Sequence, residues 1–137
     1  MKIGFTCGAF DILHKGHIDL LKECKQHCDY LIVGLATDER IKEYKSISRP
    51  INSYNNRFAV LESIKYVDIV VMDTQGPIPY LTRTPINVYF KGKDWEGKLP
   101  HKEIVLTKER GIEVVFIEFN TDISTSKIIE KIKNIPL

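Results

Sequence analysis

Short apolar runs alternate along the chain with segments that carry apolar residues at helical spacing. The runs predict five strands, at residues 2–7, 31–36, 67–72, 86–90 and 113–118. The segments between them predict helices at residues 16–26, after Asn52 or Ser53, at 78–82, at 101–110 and after a cap at 124–126, with a helical turn at 37–39. Because strands alternate with helices, we expect one α/β domain over residues 1–137, with a doubly wound, parallel, five-stranded sheet.

Polar stretches follow three of the predicted strands. They lie at residues 8–17, 91–98 and 120–126. In open α/β sheets, ligands bind at the carboxyl ends of the strands, where the strand order reverses. We therefore expect these three stretches to converge on one site.

Composition excludes some classes of function. Twenty basic and eighteen acidic residues give a net charge of +2, which offers no general attraction to nucleic acid or to a membrane surface. No apolar run approaches the length of a membrane span, and the first residues do not resemble a secretory signal. The three cysteines form no C-x-x-C pair, so we expect free thiols and a cytoplasmic location.

The stretch at residues 8–17 carries the most specific chemistry. Gly8 allows a tight turn after the first strand, and His14 and His17 lie where a helix begins. A helix N-terminus favours anions, and two imidazoles on one face add donors for phosphate oxygens. Two other interpretations are surface histidines beside a helix cap and a zinc site. The zinc site lacks a third ligand and the glutamate of an H-E-x-x-H pattern, so we predict no protein-bound metal.

The letters G-A-F-D-I-L-H-K-G-H at residues 8–17 resemble the signature of the H-x-G-H nucleotidyltransferase superfamily, G-x-F-D-x-x-H-x-G-H. The resemblance implies a Rossmann-like fold, a nucleoside triphosphate with Mg²⁺, and nucleotidyl transfer that releases pyrophosphate. It also implies catalytic roles for His14 and His17. The implied nucleotide contacts are Thr6, Cys7, Gly8, Ala9, Phe10, Asp11 and Gly16. Asp11 could orient a histidine or a lysine, or help to hold the metal.

A basic segment follows the second strand. Lysines and arginines in such a segment usually form a solvated face, whereas the resemblance implies a clamp over the phosphates of both substrates. Lys45 and Arg57 match the catalytic lysine and arginine of the superfamily. The remaining substrate contacts that the resemblance implies are Asp38, Lys42, Arg49 and Lys65.

Two later stretches also match family motifs. Residues 91–98 resemble the G-x-D-W-E-G-K segment of glycerol-3-phosphate cytidylyltransferases, which implies nucleotide contacts from Lys91, Gly92 and Asp94. Residues 123–128 resemble I-S-T-T-K-I, although Ser124 would also make a good helix cap without any ligand. From this region the resemblance implies nucleotide contacts by Thr121, Ile123, Ser124, Thr125 and Ser126.

The resemblance indicates two substrate pairs. The small size and the residues at 37–39, 53–54, 65–68 and 94–98 favour transfer from CTP to glycerol-3-phosphate, as for a precursor of a cell-surface polysaccharide. The sequence S-R-P-I-N at residues 48–52, and the lack of an arginine at 119–122, favour transfer from ATP to a heptose phosphate or a similar sugar phosphate. The first pair is our main expectation, and a non-catalytic nucleotide-binding module is the alternative of another class. By resemblance alone we also expect a homodimer.

Overall fold

Five parallel strands form a single sheet in the computed structural model, which describes residues 1–118 and 122–136. They are β1 (Ile3–Gly8), β2 (Tyr30–Ala36), β3 (Ile69–Asp73), β4 (Val88–Gly92) and β5 (Glu113–Ile117). Their order is β3-β2-β1-β4-β5, and all four neighbouring pairs are parallel. The chain therefore winds outward from β1 in both directions, so the strand order reverses beside β1. The predicted Rossmann-like α/β fold is confirmed.

Helices cover both faces of this sheet. They are α1 (Lys15–Gln26), α2 (Asp38–Tyr44), α3 (Tyr54–Glu62), α4 (Ile78–Arg83), α5 (His101–Arg110) and α6 (Thr125–Lys133), and a short 3-10 turn covers Lys93–Trp95. The predicted cap of α6 forms, because Ser124 accepts a hydrogen bond from the backbone N–H of Lys127 at 3.1 Å. Gly111 ends α5 at a φ of 66°, a left-handed conformation that favours glycine.

The apolar residues of the sheet divide between two clusters. Alternate residues of β2 pack on opposite faces: Leu31 and Val33 join one cluster, and Ile32 joins the other. The first cluster includes Leu21 of α1, and the second includes Leu81 of α4. Burial on both faces explains why the strands are uninterrupted apolar runs in the sequence.

Several predicted boundaries were wrong, among them the strand expected at 86–90, which is Val88–Gly92. The strand expected at 67–72 is Ile69–Asp73, because Asp68 leaves the ladder and accepts the backbone N–H of Leu31 at 2.7 Å through its carboxylate. The turn expected at 37–39 is a longer helix, α2, since Thr37 caps it by accepting the N–H of Arg40 at 3.2 Å. Lys42 therefore lies on a helix and not in a loop.

Candidate active site

A pocket of about 690 Å³ opens at the carboxyl ends of the strands, beside the reversal in strand order. The pocket brings together ten of the residues that the sequence predicts for the site: Cys7, Gly8, Ala9, Phe10, Asp11, His17, Lys45, Arg49, Lys91 and Thr125. The stretches that follow β1, β2, β4 and β5 therefore contribute to one cavity.

The two histidines hold each other in place at the start of α1. The backbone N–H of Gly16 donates to Nδ1 of His14 at 3.0 Å, and the backbone N–H of His14 donates to Nδ1 of His17 at 3.2 Å. This reciprocal arrangement is a capping box made from imidazoles. The ring centroids are 3.9 Å apart, so the two side chains form one compact unit.

This capping fixes the protonation of both rings. A nitrogen that accepts a hydrogen bond carries no proton, so each neutral ring carries its proton on Nε2. Burial, reinforced by His14 and Lys45 and opposed by Asp11, lowers the pKa of His17 to about 4, and burial also lowers the pKa of His14. Near pH 7 the pair is therefore uncharged, and it offers two Nε2–H donors that can bind phosphate oxygens.

The loop between β1 and α1 is strained. Phe10 and Ile12 have φ values of 48° and 50°, in the left-handed region that residues other than glycine rarely adopt. Phe10 is nevertheless buried, and its ring lies 5.5 Å from that of His17. Such strain costs roughly 1–3 kcal/mol per residue and persists only where packing enforces it, which is common at functional sites.

Asp11 connects this loop to the segment before α3. Its carboxylate accepts the backbone N–H groups of Ile51 at 2.6 Å and Asn52 at 3.0 Å, and it lies 3.8 Å from Nε of Arg49. Its backbone carbonyl accepts a hydrogen bond from Oγ1 of Thr125 at 2.6 Å. Of the roles left open for Asp11, the geometry favours none, because both carboxylate oxygens are occupied in fixing a backbone segment.

The structure does not place Arg57 at the wall of the pocket, although the sequence predicts a catalytic role for it. It is 2% exposed and does not border the pocket. Its guanidinium donates to the backbone carbonyls of Asn52 at 2.9 Å, Ala9 at 2.9 Å and Ala36 at 2.8 Å, and to the carboxylate of Asp38 at 2.7 Å. Arg57 is therefore a positioning residue that joins the loop after β1, the end of β2 and the segment before α3, and Asp38 is its partner.

Cationic side chains border the pocket on the side of α2. Lys45 follows the helix, and burial together with the charge of Arg49 lowers its pKa, against the effect of Asp11. Nε of Arg49 is buried and makes no hydrogen bond in the described parts of the chain. A buried donor without a partner is costly, so an anion that met it would regain that energy.

The opposite side of the pocket is formed by β4 and α5. Nζ of Lys91 lies 4.2 Å from the ring centroid of Trp95, a cation–π contact. Trp95 is 41% exposed and borders the pocket. Beneath them, Tyr89 donates a hydrogen bond to the buried carboxylate of Glu103 at 2.6 Å.

Cys7 borders the pocket, and its side chain is a protonated thiol near pH 7. Burial, with help from the carboxylate of Asp73, raises the pKa of Cys7 to about 12. All three cysteines are free. A thiol that stays protonated near pH 7 is a poor nucleophile, because the thiolate is the reactive form.

The structure does not bring every predicted residue into the pocket. Lys65 follows α3 at the amino ends of the strands, where its ammonium lies over the ring of Tyr66. Lys42 and Asp94 are exposed and do not border the cavity. The other predicted contacts that do not border it are Thr6, His14, Gly16, Asp38, Gly92, Ile123, Ser124 and Ser126, in addition to Arg57. Thr121 lies outside the described residues.

Three charged residues of the pocket were not predicted: Arg40, Asp73 and Glu103. Asp73 ends an apolar run and is followed three residues later by a glycine, the same pattern of strand and turn that marked the other stretches. Arg40 and Glu103 lie on helices, where the sequence shows a charge but not the direction in which it points.

Neither a metal cage nor a membrane span is found in residues 1–118 and 122–136. No group of three or more histidine, cysteine, aspartate or glutamate side chains there could hold a metal ion. No helix of these segments is both long enough and apolar enough to cross a bilayer. Association of Mg²⁺ with the triphosphate therefore stays a prediction from the resemblance.

Comparison with known proteins agrees with this geometry. The model of a family described as cytidylyltransferase-like matches residues 5–131. The chain belongs to the cytidylyltransferase-like family. The match includes the histidine pair, the basic segment after β2 and the start of α6, so it covers every stretch that forms the pocket.

Curated relatives are much longer than this chain. The bifunctional protein HldE of Campylobacter jejuni is 40% identical over 134 residues, which are 97% of this chain and 28% of that protein. HldE of Helicobacter hepaticus is 42% identical over 133 residues, 96% of this chain and 27% of that protein. The chain thus spans little more than a quarter of the length of these relatives.

Solved structures share the fold. A lipopolysaccharide core biosynthesis protein from Thermoplasma volcanium has a TM-score of 0.70 and 28% identity, over 88% of this chain and 97% of that one. A protein of unknown function from Archaeoglobus fulgidus has a TM-score of 0.63 at 14% identity, over 86% of this chain and 90% of that one. The second likeness concerns the fold alone.

Proposed function

We propose that the chain transfers the adenylyl group of ATP to a heptose phosphate or a closely similar sugar phosphate. The observation that carries the proposal is the imidazole capping box, which uses Nδ1 of both rings and leaves Nε2 of each outside the capping bonds, with His17 at the wall of a pocket that cationic side chains border. Phosphoryl and nucleotidyl transfers depend on positioning and electrostatic stabilisation more than on covalent catalysis, and this site supplies both.

The reaction in this proposal is an in-line displacement. A phosphate oxygen of the acceptor forms a bond to the α-phosphorus, the bond from that phosphorus to the α–β bridging oxygen breaks, and pyrophosphate leaves with the electron pair. The Nε2–H groups of His14 and His17 stabilise the charge that develops on the α-phosphate oxygens. Lys45 and Arg49 neutralise the incoming acceptor phosphate. Mg²⁺, bound to the triphosphate, would supply further charge stabilisation.

Two observations favour ATP and a sugar phosphate over CTP and glycerol-3-phosphate. Curated relatives that match almost the whole chain are named bifunctional protein HldE, and a lipopolysaccharide core biosynthesis protein shares the fold at 28% identity, which supports a sugar phosphate as the acceptor. In addition, Asp94, the centre of the motif that had favoured CTP, is exposed and does not border the pocket. The S-R-P-I-N segment, by contrast, forms part of the pocket, because Arg49 borders the cavity and Asp11 accepts hydrogen bonds from the backbone of the segment.

Pyrophosphate release tests the proposal directly. The purified chain is assayed with ATP or CTP, Mg²⁺, and either a heptose 1-phosphate, mannose 1-phosphate or glycerol-3-phosphate. We expect turnover with ATP and a sugar phosphate. Faster turnover with CTP would contradict the choice of nucleotide. Nucleotide binding without release for any acceptor would contradict transfer and support a binding module.

His17→Ala should lower kcat by about 10²–10³, the usual cost of losing one donor to a transition state. His17→Asn separates this effect from helix capping, because its amide oxygen can still accept the N–H of His14. His27→Asn is the matched control, since His27 ends α1 away from the pocket. Near-normal turnover in both His17 variants would refute the mechanism.

A further inference from the structure

Arg40 and Asp73 border the pocket from α2 and from the end of β3. Asp73 is the last residue of β3, and its backbone carbonyl accepts the N–H of Thr37, which caps α2, at 3.0 Å. Arg40 lies in the first turn of α2. Both residues border the pocket, and neither belongs to a motif that the sequence identifies.

The carboxylate of Asp73 is held rigidly and keeps one oxygen available. Asp73 is 4% exposed, and its Oδ1 accepts the backbone N–H groups of Gln75 at 3.1 Å and Gly76 at 2.5 Å. Gly76 adopts a φ of 87°, which completes this tight turn. No hydrogen bond from residues 1–118 or 122–136 reaches Oδ2. The turn therefore fixes an acceptor at the wall of the cavity.

The guanidinium of Arg40 is also fixed, and it keeps one donor available. Its Nη1 donates to Glu43 at 3.2 Å, and its central carbon lies 5.2 Å from the ring centroid of Tyr44. Its Nε is buried and has no hydrogen-bond partner within the described chain. Arg40 pairs with Glu43 and not with Asp73, so the donor and the acceptor remain separate.

These two groups lie on one side of the pocket, across β1 from Lys91 and Thr125. Lys91 lies near the end of β4 and Thr125 starts α6 after β5, whereas Arg40 follows β2 and Asp73 ends β3. The histidine pair, which follows β1, stands between the two sides. If the triphosphate occupies the first side, the group attached to the acceptor phosphate extends into the second.

The chemistry of this second side suits hydroxyl groups. A hydroxyl can accept a hydrogen bond from Nε of Arg40 and donate one to Oδ2 of Asp73. A second phosphate on the acceptor would meet the buried carboxylate of Asp73, and like charges at close range repel. A polyol or sugar therefore matches this wall better than a second anionic group does.

We propose that Arg40 and Asp73 select the acceptor by binding two neighbouring hydroxyl groups of its polyol or sugar. This inference rests on the proposed function, because it places the acceptor opposite the nucleotide. Arg40 donates to one hydroxyl, and Asp73 accepts from the other. A site built to bind a hydroxyl discriminates strongly against analogues that lack it, because its buried polar groups are then unpaired.

Two variants test the pair. Asp73→Asn keeps an oxygen for the turn at Gly76 and replaces the Oδ2 acceptor by a donor, while Arg40→Gln removes the charge. Arg83→Gln removes an exposed arginine from α4 as the matched control. With ATP and mannose 1-phosphate, we expect the KM for the sugar phosphate to rise at least tenfold in the first two variants. The KM for ATP should stay within twofold.

Deoxy analogues provide a second readout that a merely structural role would not change. The parent chain should distinguish mannose 1-phosphate from a monodeoxy mannose 1-phosphate by at least tenfold in kcat/KM. That ratio should fall toward one in Asp73→Asn and Arg40→Gln. An unchanged ratio, or an equal rise in both KM values, would overturn the assignment.

Calorimetry of mannose 1-phosphate binding separates this inference from the proposed function. Binding that both variants weaken, without pyrophosphate release by the parent chain, would support the hydroxyl site and contradict transfer. Turnover with unchanged sugar-phosphate binding in both variants would support transfer and overturn the hydroxyl site. Circular dichroism confirms that each variant is folded before these comparisons.

Discussion

Replacement of Arg57 by methionine distinguishes a positioning role from a catalytic one. Methionine retains most of the apolar stem of arginine and removes its five N–H donors. In the native chain these donors satisfy three backbone carbonyls, from Ala9, Ala36 and Asn52, and the carboxylate of Asp38. The carbonyls belong to the loop after β1, the end of β2 and the segment before α3, so the substitution affects all three at once.

The expected loss of stability follows from these contacts. A buried acceptor left without a partner costs about 1–3 kcal/mol, and three carbonyls lose theirs. The side chain of Asp38 is 32% exposed, so water can replace the hydrogen bond that it loses. Asp38 therefore contributes less to the loss of stability than the buried carbonyls do. We therefore expect Arg57→Met to lower the free energy of unfolding by about 3–5 kcal/mol, a large part of the 5–15 kcal/mol typical of a domain.

Urea unfolding followed by circular dichroism measures this change, with Arg83→Met as the control for loss of an exposed arginine. A catalytic role predicts a different result, namely a large fall in kcat at unchanged stability. If Arg57→Met unfolds within about 0.5 kcal/mol of the parent chain, the range of ordinary surface substitutions, the positioning role is wrong.

Two further predictions concern the loop between β1 and α1. The pKa of His17 is about 4 in the fold and 6.5 when unperturbed, so the unfolded chain binds the extra proton and stability should rise from pH 4 to pH 6.5. Unfolding at pH 5 and pH 7.5 measures this, and an equal rise in His17→Asn would contradict the assignment. Asp11→Ala should cost about 2–4 kcal/mol, because the N–H groups of Ile51 and Asn52 lose their acceptor. Limited proteolysis should then cut residues 49–52 faster, and an unchanged rate would show that Asp11 does not hold them.

The sequence predicts the sheet because its pattern depends on burial alone. Apolar runs such as 31–36 can be buried on both faces only within a covered parallel sheet, and helical stripes supply the cover. The motif at 8–17 likewise predicts the pocket, since Gly8 and the two histidines act through local geometry. Such features require no knowledge of which distant residues meet.

The direction of a long charged side chain is harder to predict. Arg57 shows a positive charge in the sequence, yet the backbone carbonyls that bury it come from loops distant in the chain. One signal was present: Arg57 lies four residues before the buried Leu61, on the same face of α3. Arg40 gives no comparable signal, because its surroundings depend on Asp73 and Gly76 of the next strand and turn.

Asp11 explains why the separate motifs form one site. Its carboxylate accepts hydrogen bonds from the segment that contains Arg49, and its backbone carbonyl accepts one from Thr125 at the start of α6. The loop that contains Asp11 leads directly to the histidines. Because the histidine pair is uncharged near neutral pH, the positive potential at the phosphates has to come from side chains such as Arg49 and Lys45. Asp11 thus couples neutral donors to cations on another segment, and the proposed transfer would use both, the donors at the α-phosphate and the cations at the acceptor phosphate.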